Sequence, residues 1–580
     1  MEFYKEFGFS TFCVANFVLK LVVKIKLDLE KTLLIGFFTV FLFLGPGVLF
    51  GHIIKHDFPY GYFASDTFQH QIRAEAIKDA GNFRYEATYV SKGFEKVVGR
   101  YPPILYHLAV LLSYPAGIET YDSIYFIVAF LTLVASFVMY ILIKDFNRNA
   151  ALISLPLSLL IFSSPPAIGF LWGHWPSLLS QSFLILLFWS ILRMDLEKSY
   201  IFIALSLSAT VLTHTSETIF GFIFLALFFG IKLLRKNIKF KDIKIMFIAA
   251  FFFLILSSYY LIIFFNTWAK AQPYSFFVQS LWEGNPGFYI AGFGLLLIPM
   301  LIGMIFSLIK IKEMHISIIA AFAMLFNGFL NYAGFEVRSF QIRFFWPIYL
   351  SVFFGLGIYI AFKSIIKKWN FFYSIAIFLI LIISLSGFVK FPILNQTKIQ
   401  IIPYIPYLNR DSNQGIMDNL HWEALTWLSK NTEKDAKIYF FYGDIYSQDA
   451  LLRNSKRVHY QVDPEGFIKV LKERKIMRNY TTEMPGDSGG SIAARKSFFK
   501  FEDATKDTPQ KEFFGYHDIC KFNYLVFDKG SAQQVLAQYN LLIAQDMIKK
   551  NFIKPVFDNQ GIVILKNEKP GEDCIEERIF

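Results

Sequence analysis

The feature that most constrains this chain is a series of uncharged apolar runs, most of them about twenty residues long. They fall near 33–54, 122–143, 149–171, 176–192, 199–215, 217–234, 245–265, 287–309, 315–333, 344–362 and 369–389. A run of roughly 20 apolar residues crosses ~30 Å of hydrocarbon as a helix, the one open-chain form that satisfies its own backbone there. The stretch 245–265 (IMFIAAFFFLILSSYYLIIFF) is the clearest case, whereas 104–114 is too short to span. The pattern therefore predicts a polytopic α-helical membrane protein of about eleven transmembrane helices.

Charge placement divides the chain. Of its 580 residues 18% are charged, against roughly 25% in a soluble protein, and most of that charge lies in the last third. The predicted division is a cytoplasmic amphipathic arm over 1–32, a transmembrane domain over 33–389 and a soluble domain over 390–580. The arm lacks a small-residue cleavage pattern and reads as an interfacial helix. Residues 55–103 form a long loop; with the short run 104–114 the whole connection extends over 55–121. In the last segment, strand-like runs (AKIYFFYGD, NYLVFD, GIVILKN) alternate with helical stretches, which predicts an α/β or α+β domain. Within it, 484–512 is a polar, Gly-bearing stretch that reads as a loop.

The net charge of +12 does not call for nucleic acid, because much of it sits in short loops between apolar runs, as at Lys232, Arg235, Lys236, Lys239, Lys241 and Lys244. Such residues mark the cytoplasmic side. With the N-terminus inside, the inner loops also receive Lys144, Arg148, Arg193, Lys198, Lys310, Lys312, Lys363, Lys367 and Lys368, while the short outer connections hold only Lys270, Arg338 and Arg343. An odd number of spans then places 390–580 outside a cell membrane that the chain crosses many times. Three cysteines exclude a cysteine-rich metal site. Cys520 and Cys574 can pair if the soluble domain faces an oxidising space, and two separate buried thiols are the alternative.

Polar groups at the outer face form four clusters: Asp57 with Asp66, His70 and Arg73; Trp172-Gly-His174-Trp175-Pro176; His214-Thr-Ser-Glu217; and Glu336-Val-Arg338 with Arg343. Asp66 and His70 are four apart and share one face of any helix that forms there. A carboxylate at the mouth of a membrane cavity can accept a proton from a hydroxyl or hold a divalent cation such as Mg or Mn. Arg338 or Arg343 can hold a phosphate. Each residue also has a plainer reading: a helix N-cap for Asp66, interfacial snorkelling for the arginines, hydrogen-bonded interfacial histidines, and a helix N-terminal carboxylate for Glu217. Tyr101-Pro-Pro-Ile-Leu-Tyr-His107 opens the short run 104–114, where proline marks a helix start.

Asp66-x-x-x-His70-x-x-Arg73-Ala, then Gly81, then Tyr101-Pro-Pro-Ile-Leu-Tyr-His resembles the first outer loop of the GT-C superfamily of integral-membrane glycosyltransferases. The segment from His421 to Asp435 looks like the first helix of the soluble domain in archaeal members of oligosaccharyltransferase type. The resemblance implies transfer of a sugar from a polyprenyl-phosphate donor to a protein, glycan or lipid acceptor at the extracytoplasmic face. It makes Asp66 the catalytic or metal-positioning carboxylate, with His70, Arg73, His174, His214, Glu217, Arg338 and Arg343 around the substrate. Two departures stand out. Where the oligosaccharyltransferases carry Trp-Trp-Asp-Tyr-Gly, this chain has Tyr439-Phe-Phe-Tyr-Gly443-Asp444, and Gly-His-Trp-Pro replaces their second-loop acidic pair. Both argue against transfer to asparagine sequons and leave metal dependence open. The rival readings are a transporter or flippase of lipid-linked substrates, and a non-catalytic relative that binds a partner. Transporters place charged groups at mid-membrane, where these runs have almost none.

Overall fold

The computed structural model describes residues 29–49, 57–81, 101–264, 293–329, 340–368, 417–441, 451–482, 515–530 and 534–579, a few single positions and pairs within those ranges aside. The arm 1–28, the run 369–389, Arg338, Gly443, Asp444 and the loop 484–512 lie outside the described residues.

Ten of the apolar runs coincide with helices. These are α1 (Leu29–Leu49), α4 (Thr120–Phe146), α5 (Arg148–Leu157), α6 (Trp175–Leu192), α7 (Ser199–Val211), α8 (Ser216–Leu234), α9 (Phe240–Phe264), α10 (Leu297–Ile309), α11 (Ile316–Phe329), and the pair α12 (Phe340–Tyr349) and α13 (Ser351–Lys368). Two further helices, α2 (Ser65–Ala80) and α3 (Ile104–Ala116), fall within the long connection. Among the described residues, Thr120–Phe146, Trp175–Leu192, Glu217–Leu234 and Phe240–Ile262 are long and apolar enough to cross a bilayer on length and composition. At 13 residues, α3 reaches only about 20 Å.

The run 149–171 is not one straight span. Its α-helix ends at Leu157, a 3-10 turn covers Ser158–Phe162, and Ser163 is extended before a short turn at Ile168–Leu171. Pro156 sits at the break; it has no N–H to donate and its ring crowds the preceding turn. The run 344–362 is likewise split, with Pro347 in the last turn of α12.

Close approach of backbones fixes α10 against α13. A Cβ on Gly303 would stand 2.0 Å from the Phe353 carbonyl oxygen, and one on Gly357 would stand 1.8 Å from that of Pro299. Only glycine allows this contact, a common device where lipid offers no hydrophobic drive between helices. The lipid-like exterior is apolar too, with Phe240, Phe247, Phe251, Ile262 and Phe222 exposed.

The C-terminal part holds a five-stranded mixed sheet in the order β2-β1-β6-β8-β7. The strands are β1 (Lys437–Phe441), β2 (Val458–Gln461), β6 (Tyr524–Asp528), β7 (Ile553–Asp558) and β8 (Ile562–Asn567). Between them in sequence lie β3 (Lys475–Ile476) and the antiparallel pair β4 (Asn479–Thr482) and β5 (Gly515–Asp518). β1 runs parallel to β2 and β6, while β8 is antiparallel to β6 and β7. Strand alternation assigns the two faces. Ile438 and Phe440 lie with Ala424, Leu425 and Leu428 of α14 (Asn419–Asn431), in a core continuous with the bundle. Tyr439 and Phe441 lie with Ile543, Ala544 and Met547 of the helix Gln534–Ile548. Cys520 and Cys574 are disulfide-bonded, which resolves the alternative left open by the sequence.

The sheet domain touches α2. After the 3-10 turn Arg453–Ser455, Lys456 takes a left-handed φ of 54° and pairs with Glu75 at 3.1 Å and with Asp79. The Trp422 ring of α14 meets Tyr121 at 5.7 Å, edge to face.

Candidate active site

α2 carries Asp66 in its exposed first turn. His70 and Arg73 follow on the same face, one and two turns along, and both are buried. His70 Nδ1 lies 2.8 Å from the Tyr106 hydroxyl, and its ring is 5.3 Å from Tyr101 and 6.0 Å from Trp175. The Arg73 guanidinium sits 5.2 Å from the Tyr101 ring centre and 6.0 Å from that of Tyr106, and donates to the Gln69 carbonyl at 3.2 Å. Aromatic faces hold a desolvated guanidinium through their quadrupole.

The Gly-His-Trp-Pro segment meets α2 head on. Gly173 adopts φ +83°, and a Cβ there would lie 2.5 Å from the Thr67 amide nitrogen and 2.7 Å from the Asp66 carbonyl carbon. The Phe63 amide donates to the Leu171 carbonyl at 3.0 Å, so the segment before α2 is held to the same stretch. Trp175 is fully buried against Tyr62 and Tyr125, at 5.2 and 5.1 Å, and donates its indole N–H to the Phe170 carbonyl.

A third segment closes the cluster. The Ile104 amide, at the start of α3, donates to the Leu212 carbonyl at 3.0 Å, which brings Tyr101 beside the end of α7. The His214 ring is 6.2 Å from that of Tyr101. His214 Nδ1 bonds the carboxylate of Glu217, which is completely buried and also accepts from Ser177 at 2.5 Å.

The electrostatics follow from burial. Desolvation, reinforced by the positive potential of Arg73, His214 and His174, holds the His70 pKa well below the ordinary histidine range. Burial likewise pushes the Tyr101 and Tyr106 hydroxyls above theirs, against the opposing pull of Arg73. His70 is therefore a neutral hydrogen-bonding group here, and Arg73 the fixed positive charge.

Asp66, His70, Arg73, His174, His214 and Glu217 thus converge from three separate stretches of sequence. Arg343 lies in the first turns of α12, with its side chain outside the described set, as is all of Arg338. Tyr106 and Trp175 are central to the cluster but stand in the sequence only within a helix start and beside His174. The signal available was the five-residue spacing of Tyr101 and Tyr106 around Pro-Pro. Among the described residues no group of three or more His, Cys, Asp or Glu side chains stands where it could hold a metal ion, and no step below is routed through a cation.

The chain matches no family model and no curated protein. Among solved structures it is similar to the archaeal oligosaccharyltransferase AglB from Archaeoglobus fulgidus, in complex with an inhibitory peptide and a dolichol-phosphate. The TM-score is 0.50 at 13% identity, over 86% of this chain and 70% of that one. It is similar also to ArnT from Cupriavidus metallidurans bound to undecaprenyl phosphate, with TM-score 0.51 at 11% identity, over 92% and 98% of the two chains. At these identities the likeness shows the fold: this chain shares that of the archaeal oligosaccharyltransferase and of ArnT.

Proposed function

We propose that the chain is a multi-pass membrane glycosyltransferase that moves a sugar from a polyprenyl-phosphate-linked donor to a hydroxyl of a protein, glycan or lipid acceptor at the extracytoplasmic face. The observation that carries this reading is the exposed Asp66 carboxylate beside a desolvated cluster of Arg73, His70 and tyrosine side chains at one end of the bundle. The printed ligands of the similar structures, a dolichol-phosphate and undecaprenyl phosphate, agree in class.

The orientation has two supports. Lys144, Arg148, Arg193 and Lys232 gather at the opposite end, around Glu30, Asp145 and Asp242, as cytoplasmic loops do. The Cys520–Cys574 disulfide suits a domain facing an oxidising space.

In the proposed reaction the acceptor hydroxyl loses its proton to Asp66 as its oxygen attacks the anomeric carbon. The bond from that carbon to the phosphate oxygen breaks, and the polyprenyl phosphate leaves. A single displacement inverts the anomeric configuration. Arg73, with Arg343 as the second candidate cation, stabilises the phosphate charge that grows in the transition state. The test is transfer from a polyprenyl-phosphate-linked sugar by purified protein carrying Asp66→Asn, with folding checked by thermal unfolding in detergent. Loss of transfer with an unchanged melting point is expected; retained transfer would sink the assignment of Asp66.

A further inference from the structure

Glu217 is a carboxylate with no exposed surface at the start of a bundle helix. Three donors surround it: His214 Nδ1, the Ser177 hydroxyl at 2.5 Å and the Gln181 amide at 3.5 Å. Ser177 and Gln181 belong to α6, one turn apart, and the Gln181 carbonyl accepts from Tyr349 at 2.8 Å. A desolvated carboxylate is costly unless it is paired and hydrogen-bonded, and an ionisable group at membrane depth is by default functional. Stapling α6 to α8 needs only neutral groups. What the carboxylate adds is a fixed negative partner for one ring nitrogen of His214.

That pairing sets the tautomer. Nδ1 donates to Glu217, so Nε2 is the nitrogen that can meet a ligand, and the His214 side chain keeps 24% of its surface exposed. Its ring stands in the cluster with Tyr101. The other titratable and charged groups around it are His70 and Arg73 of α2, His174 and Tyr101. Burial drives His70 towards the neutral form and Tyr101 towards the protonated one, so neither titrates near neutral pH. His214, bonded through Nδ1 to Glu217 and with part of its ring exposed, is the group placed to carry a proton.

We infer that His214, held by Glu217, is the acid that delivers a proton from Nε2 to the departing polyprenyl phosphate. This rests on the transfer reaction proposed above. As the bond from the anomeric carbon to the phosphate oxygen breaks, that oxygen keeps the electron pair and takes the His214 proton; the acceptor's proton goes to Asp66. A positioned imidazole within reach of the leaving oxygen is the commonest general acid. His214 is then a catalytic residue and Glu217 a positioning residue.

The test uses the full-length protein in nanodiscs with an undecaprenyl-phosphate-linked sugar as donor, and undecaprenyl monophosphate as a binding probe. In His214→Gln, kcat should fall by about 10²-fold with KM changed less than about threefold, and the fall of kcat towards high pH should disappear. Glu217→Gln, which keeps the size of the side chain but removes the charge and an acceptor for the Nδ1–H, should lower kcat less and shift the same limb to lower pH. From pH 8 to pH 5.5 the native protein should gain affinity for the monophosphate relative to His214→Gln, the variant carrying whatever change the phosphate's own ionisation brings. A His214→Gln protein that keeps the high-pH limb, or loses rate through KM alone, would overturn the inference. Asp66→Asn separates the two proposals: full transfer in that variant, with the limb still lost in His214→Gln, would remove the base and leave the acid standing.

Discussion

Both ends of the helical bundle carry charged side chains, and they treat them in opposite ways. At the end where α1 begins, Lys144, Arg148 and Arg193 keep 42%, 58% and 43% of their side-chain surface exposed while pairing with Glu30 and Asp145. At the other end Arg73, His70 and Glu217 are 7%, 5% and 0% exposed. Charges left in water are screened and cost little to hold, so these basic groups can serve orientation, gathered around a Glu30 that is itself buried. Desolvated groups must each be met by a built environment. The difference teaches where to look for chemistry: at the end where the fold has gone to the expense of burying charge.

The comparison can be tested from the largest effect downward. Asp66→Asn should reduce transfer by on the order of 10²–10⁴-fold, the span of general acid–base contributions, with no change in melting point. Gly173→Ala should come next. Its methyl group would overlap the Thr67 amide and displace the start of α2, and a shift of about 1 Å at a reacting group costs about 10²-fold. A fall in kcat/KM with retained helicity by circular dichroism would confirm it, and an unchanged rate would show that α2 is not held in register by this contact.

The contrast extends into the sheet domain. His421 is nearly buried between Asp418, at 2.6 Å, and Asp528, at 3.4 Å. Burial alone would lower its pKa, but the two carboxylates outweigh burial and raise it to about 9. A folded value above the unfolded one of about 6.5 adds stability that is complete below about pH 6.5 and lost as pH rises through about 9. The contribution is up to about 3 kcal/mol, and His421→Leu should flatten the melting temperature over pH 6.5–9. At the opposite end of the bundle, Glu30→Ala leaves Tyr140, Lys144 and Arg148 without their shared acceptor. It should cost about 1–3 kcal/mol in detergent unfolding while transfer in membranes is unchanged. The smallest effect belongs to the exposed Lys554–Glu568 pair: Lys554→Ala should change stability by less than about 0.5 kcal/mol.

Much of the bundle was legible because apolar length and loop charge are local properties. The clusters at Asp66–Arg73, His174 and His214–Glu217 were legible for the same reason, since a polar group beside an apolar run stands out; the cluster Glu336-Val-Arg338 lies outside the described residues. What the sequence hid were relations across distance. Pro156 announced a break in the run 149–171, but that a 3-10 turn and an extended Ser163 would follow depended on packing around it. Gly173 stands among other glycines in the sequence, and only the approach of Thr67 shows why no other residue serves there. The disulfide joins residues 54 apart in sequence, and the order β2-β1-β6-β8-β7 interleaves strands from widely separated stretches, which no local pattern encodes.

The contact of Lys456 with α2 has a bearing on how the protein is made. Glu75 and Lys456 are 381 residues apart, and ribosomes add about 5–20 residues per second. For roughly 20–75 seconds after Glu75 is polymerised, the residue that will neutralise it has yet to be synthesised. During that interval the rest of the bundle is made, including Thr120, whose hydroxyl donates to Glu75 at 2.7 Å. The site is therefore assembled late in biosynthesis: its aromatic floor comes first, and the lysine that clamps the outer face of α2 arrives with the sheet domain.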